Sequence, residues 1–212
     1  MLRIFFGFFL SLSTLLAQEA QQQALPSAPE KVDPLTTCQS CHGADGVSEI
    51  TSIPILAGQY ESYLLLQLKH FRQGEQGPRY NAIMYPSVQE LSDQELEHLA
   101  TYFSKQNRKY ALAEPRDDLI LGERIYKGGI YAKKIAACSG CHSATGLGNE
   151  PYRVPSLAGQ HAEYLSIQLK NYRDGTRKHA MMSLVAEQLS DNEIDAVANY
   201  LQGLQPISNN QH

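Results

Sequence analysis

The chain repeats itself. Cys38-Gln-Ser-Cys41-His42 returns as Cys138-Ser-Gly-Cys141-His142, and Leu56-Ala57-Gly58-Gln59 returns as Leu157-Ala158-Gly159-Gln160. Gln67-Leu68-Lys69 returns as Gln168-Leu169-Lys170, and Leu91-Ser92-Asp93 as Leu189-Ser190-Asp191. The offset runs 100, then 101, then 98, so the second copy gains one residue before Ala158 and loses three between Gly175 and Met182. Two homologous units of about 85 residues follow. Units that small have thin cores and often rely on a cofactor or a covalent staple. The expected division is 1–17 signal peptide, 18–32 disordered tether, 33–104 first domain, 105–118 linker, 119–204 second domain and 205–212 tail.

Each unit reads as helical. Tyr60, Tyr63, Leu64, Leu68 and Phe71 form a stripe at helical spacing, repeated by Tyr164, Leu165, Leu169 and Tyr172. Ser92 with Glu95, and Ser190 with Glu193, are capping-box pairs. They open terminal helices whose inner faces read Leu96, Leu99, Ala100, Phe103 and Ile194, Val197, Ala198, Leu201. No sustained alternation of apolar and polar residues appears, so the fold class is all-α, in two small tandem domains.

The N-terminus has the pattern of an export signal. Arg3 precedes an apolar stretch over 4–16, and Ala17 is a small residue at a plausible cleavage point. Leu15 is not the small residue usual at its position, and an uncleaved anchor is the alternative. No cysteine follows the stretch, so a lipoprotein anchor is not expected. The formal charge of −4 argues against nucleic acid as a partner. No apolar run approaches the roughly 20 residues of a spanning helix, so membrane association, if any, is not by such a helix.

Cys-x-x-Cys-His is the attachment motif for c-type haem. Two thiols about one helical turn apart can each add to one porphyrin vinyl group, and the adjacent histidine points at the iron. All four cysteines, Cys38, Cys41, Cys138 and Cys141, are used this way, giving two covalently bound haem c groups. Zinc ribbons also use Cys-x-x-Cys pairs, but these pairs lie 100 residues apart. A thioredoxin-like redox site needs a βαβ context that is missing.

Methionine is scarce: beyond Met1 there are only Met84, Met181 and Met182. Met84 and Met182 each stand seven residues before the leucine of Leu-Ser-Asp. That shared register points to His42/Met84 and His142/Met182 as the iron ligands, a pairing that raises the haem potential. Register favours Met182 over Met181, although the two could serve as alternative ligands, and His179 in the same loop could replace Met182. His70, His98, His161 and His212 read as ordinary histidines. Pro54 and Pro155 follow the motif histidines by 12 and 13 positions, so a carbonyl there is expected to accept the imidazole N–H.

A longer doubled string carries a resemblance. Ala57-Gly58-Gln59, Tyr63-Leu64, Gln67-Leu68, Phe71-Arg72 and Gly74 recur as Ala158-Gly159-Gln160, Tyr164-Leu165, Gln168-Leu169, Tyr172-Arg173 and Gly175. With the haem motifs, the chain from about residue 33 to 204 resembles the dihaem cytochrome c4 family, two class I cytochrome c domains in tandem. The resemblance implies a periplasmic electron carrier, not an enzyme, with no catalytic residues. Its implied partners are redox proteins: a donor such as a quinol-oxidising complex and an acceptor such as a terminal oxidase. A dedicated subunit of a dehydrogenase or oxidase complex is the second reading, and a dihaem peroxidase-like enzyme the third. The first unit departs from the pattern. Leu121-Gly122, Ile125-Tyr126 and Gly128 resemble the usual opening helix in the second unit, whereas little precedes Cys38 in the first. That helix is expected to be short or absent there. The first unit also has the longer ligand loop, 75–83.

Charge is lopsided. Residues 33–104 hold nine acidic and three basic groups, a balance of −6, and residues 119–212 hold eight and nine, a balance of +1. Negative surroundings favour ferric iron, so the N-terminal haem is expected to have the lower potential.

Overall fold

The computed structural model describes residues 33–205; the expected signal peptide, the tether and the tail beyond Gln205 lie outside them. Among these residues there is no strand, only three isolated bridges. The first half carries α1 (Pro34–His42), α2 (Glu61–Arg72), α3 (Met84–Val88) and α4 (Asp93–Ser104). The second carries α5 (Leu119–Gly128), α6 (Ser139–His142), α7 (Ala162–Asp174), α8 (Ala180–Glu187) and α9 (Asp191–Gly203).

The terminal helices start where their sequence says. Ser92 and Ser190 each accept from the amide three residues on, and Glu95 and Glu193 reach back to close both capping boxes. Their expected inner faces are all buried. A second device holds each terminal helix against the helix before it. Arg72, the last residue of α2, donates to the Leu91 carbonyl at 2.9 Å and pairs with Asp93. Arg173 does the same to Leu189 and Asp191 from α7. The repeated Leu-Ser-Asp is therefore both a helix cap and the landing site of an arginine.

The halves differ at their openings. Asp33 caps α1 through the Leu35 amide, with Pro34 in its first turn, and α1 runs straight into the cysteine motif. Leu35 and Cys38 then pack on Leu64, Ala100 and Phe103. In the second half the full helix α5 crosses α9, where Ile125 and Tyr126 join Leu165, Val197, Ala198 and Leu201. Gly122 permits that crossing, because a Cβ there would lie 2.1 Å from the Ala196 carbonyl oxygen.

Residues 105–118 are held down rather than free. The Glu114 amide donates to Asn199, and the Asn199 side chain returns the bond to the Glu114 carbonyl. Arg108 donates to the Ala57 and Ala158 carbonyls and to Ser156, touching both halves at once. Both halves belong to one packed unit.

Candidate functional site: two equivalent histidine–cysteine centres

His42 ends α1, which holds both Cys38 and Cys41, and His142 ends α6, which Cys138 caps and which holds Cys141. The rings are only 6% and 7% exposed. His42 Nδ1 lies 3.0 Å from the Pro54 carbonyl and His142 Nδ1 lies 3.1 Å from the Pro155 carbonyl, as the spacing suggested. A carbonyl can only accept, so Nδ1 carries the proton in both rings. Nε2 is then the lone-pair nitrogen, and in neither ring does it have a hydrogen-bond partner among the described residues. Burial lowers both histidines from their ordinary pKa, against the opposing carbonyl bond, with Arg79 lowering His42 and His179 lowering His142 further. Both rings are neutral at pH 7, the form a metal takes.

The thiols are not poised as thiolates. Burial pushes Cys38 and Cys138 up to about 11, with Asp33 adding to Cys38. Cys41 and Cys141 are exposed. Among the described residues no three His, Cys, Asp or Glu side chains gather in a metal-binding group, so the cysteine pairs do not assemble a shared zinc site.

Met84 opens α3 and packs on Phe71, Val88 and Leu96. Leu65 and Leu68 of α2 touch both that cluster and the one holding Cys38, so one face of α2 joins the two regions. In the second half Met182 is half-buried in the first turn of α8, whereas Met181 is 63% exposed. His179 caps α8, its Nδ1 accepting from the Met182 amide at 3.3 Å.

Sequence reasoning missed the seam between the halves. Arg79 donates to Gln67 at 2.8 Å, to the Tyr164 hydroxyl at 2.7 Å and to Gln168 at 3.0 Å. Arg177 mirrors it, donating to Gln168 at 2.9 Å, to Tyr63 at 2.8 Å and to Gln67 at 2.9 Å. The guanidinium groups also lie over Phe71 and Tyr172 at 4.3 and 4.5 Å. Both arginines are buried, and neither meets a carboxylate among the described residues. A signal existed: Arg79 and Arg177 are 98 apart, the same offset as Met84 and Met182. The three-residue loss therefore falls before Arg177.

The repeated Ala-Gly-Gln forms the other part of the seam. Gly58 and Gly159 turn with φ of +63° and +72°, conformations that favour glycine. The glutamines that follow cross to the opposite half. Gln59 bonds both the amide and the carbonyl of Ser156, and Gln160 bonds both those of Ile55.

Known proteins resemble this chain in sequence and in fold. The cytochrome c family model matches residues 32–107 and again 122–205. Cytochrome c4 of Pseudomonas aeruginosa is 40% identical over 171 residues, covering 79% of this chain and 83% of that one. The crystal structure of reduced recombinant cytochrome c4 from Pseudomonas stutzeri superposes with a TM-score of 0.77 at 38% identity, covering 81% of this chain and 95% of that one. A thiosulfate dehydrogenase electron acceptor of Stutzerimonas stutzeri is 34% identical over 195 residues, 89% of this chain and 88% of that one. Two matched domains, each with its Cys-x-x-Cys motif, and similarity over nearly the whole described chain lead to one assignment: this chain belongs to the cytochrome c family as a dihaem cytochrome of the c4 type, an electron-transfer protein with two covalently bound haem c groups.

Proposed function

We propose that the chain is a periplasmic carrier of single electrons between respiratory-chain proteins, from a donor such as a quinol-oxidising complex toward a terminal oxidase. In this reading Cys38 and Cys41 hold the first haem and Cys138 and Cys141 the second. His42 with Met84, and His142 with Met182, would hold the two irons. The observation that carries it is the doubled centre itself: a buried neutral imidazole, Nδ1 engaged and Nε2 without a partner among the described residues, beside a cysteine pair, at the same place in both halves.

The residues fit haem c. In each half a half-buried and an exposed cysteine stand within one turn of the buried histidine, the spacing at which two thioether links to one haem would form. Arg79 and Arg177, buried without a carboxylate partner among the described residues, are matched to the acidic side groups of haem. When bound, haem c supplies the one-electron ferric/ferrous couple. The chain's residues then have three tasks. Pro54 and Pro155 hold the imidazole rings by Nδ1–H, fixing their orientation. Met84 and Met182 would each supply the second protein ligand to an iron, and with both in place a substrate would find no open coordination site. The α2–α4 and α7–α9 packing, tied by Arg72 and Arg173, would limit how far the surroundings reorganise as charge changes.

The methionines supply the test. Met84→Ala and Met182→Ala should each remove about half of the far-red ferric Met–iron band and lower one component of the redox titration, since thioether ligation raises the potential. Met181→Ala should do neither, in accord with its exposed side chain. Loss of the band in Met181→Ala, or its survival in full in Met84→Ala, would overturn the ligand set.

A second reading keeps the chemistry and changes the donor. Similarity to thiosulfate dehydrogenase electron acceptors supports service to a dehydrogenase of sulfur compounds. Co-purification with such an enzyme, and rapid reduction by it, would favour that reading over a carrier fed by quinol oxidation.

A further inference from the structure

The Ala-Gly-Gln glutamines do more than join the halves. The Pro54 carbonyl and the Ile55 N–H belong to one peptide group. Its oxygen accepts from His42, and its N–H donates to Oε1 of Gln160 at 2.9 Å. Gln160 Nε2 then donates to the Ile55 carbonyl at 2.8 Å. In the second centre the Pro155 carbonyl accepts from His142, the Ser156 N–H donates to Gln59 Oε1 at 3.0 Å, and Gln59 Nε2 donates to the Ser156 carbonyl at 2.9 Å. Only one orientation of each side-chain amide satisfies both backbone groups. Each Oε1 is steadied further by the next amide of its own half, Tyr60 or His161. All four residues, Gln59, Gln160, Ile55 and Ser156, are buried.

We infer that Gln160 is a positioning residue for the haem of the first half and Gln59 for the haem of the second, each tuning the centre across the seam rather than its own. The inference rests on His42 and His142 being the axial histidines. A peptide whose N–H is engaged carries more negative charge on its oxygen, because hydrogen bonds in a chain polarise one another. The polarised oxygen draws the Nδ1 proton more strongly, and the ring becomes a more electron-rich ligand. Such a ligand favours ferric iron and lowers the potential. The crossing is reciprocal, so either half contains only part of its own ligand support.

The test is Gln160→Met and Gln59→Met in the holoprotein, with potentials assigned to each haem by NMR-monitored redox titration. Gln160→Met should raise the potential of the haem at Cys38 and Cys41 and leave the other unchanged; Gln59→Met should do the reverse. In the reduced protein the His42 Nδ1 proton should move upfield in Gln160→Met while that of His142 stays. Gln160→Glu can keep both bonds only as the protonated acid, and at a pH where it is protonated it should leave the His42 Nδ1 proton closer to its wild-type position than Gln160→Met does. Thr51→Val is the control, because Thr51 bonds Glu163 across the seam without touching either peptide. A shift in the glutamine's own half, equal shifts in both haems, no shift, or the same effect from Thr51→Val would overturn the inference. Failure of the ligand assignment reads out separately: His42 and His142 ring protons would then lack paramagnetic shifts in the oxidised wild-type protein.

Discussion

Gly122 stands where α5 and α9 leave no room for a side chain. A methyl group there meets the Ala196 carbonyl at 2.1 Å, so the two helices must move apart. Gly122→Ala is expected to destabilise the protein by about 3 kcal/mol, the upper part of the usual overpacking range. Gly128, in the last turn of the same helix, has nothing within 4 Å of where a methyl group would sit, so Gly128→Ala should be neutral or stabilising by up to about 1 kcal/mol. Denaturant unfolding of the two variants checks the contrast. At this scale the cysteines and histidines were legible because their spacing is local and chemically specific. Arg79, Arg177 and the crossing bonds of Gln59 and Gln160 were not, because a sequence repeat shows which residues correspond and not which half each one touches.

Among the elements, capping chemistry made the terminal helices readable from sequence, and both capping boxes formed as expected. The stripe on α2 was only partly core. Leu64 and Phe71 are buried in it, whereas Tyr63 turns to the seam to meet Arg177, a use that periodicity cannot separate from core packing. The short helices α3 and α6 have too few residues for a periodic pattern. The tie between α2 and α4 gives a pH prediction. The Arg72 hydrogen bond, with Lys69 and Arg72 charges, holds Asp93 below its ordinary pKa. A carboxylate depressed on folding stabilises above its unfolded pKa and loses that contribution as pH falls through the folded value. Asp93→Asn should therefore be less stable than wild type at pH 7, and the gap should close as the pH is lowered through the carboxylate range. Thermal melts of both proteins across that range measure it.

For the whole molecule, tandem architecture followed from the repeat, but the seam that makes the halves one unit did not. Arg79 and Arg177 exchange neighbours across it, and because the exchange is symmetric the balance of −6 against +1 between the halves stands. The haem of the first half should accordingly have the lower potential in assigned titrations; the reverse order would show that axial geometry or haem burial outweighs charge. The same asymmetry should steer the acidic half toward a basic partner surface, with an association rate that falls as salt rises.

The most direct test of a two-centre electron carrier is a potentiometric titration of the mature protein followed by its visible absorbance. Two high-potential components, with the far-red Met–iron band present in the oxidised form, are predicted. A single low-potential component without that band would contradict His/Met ligation and reopen the enzyme reading.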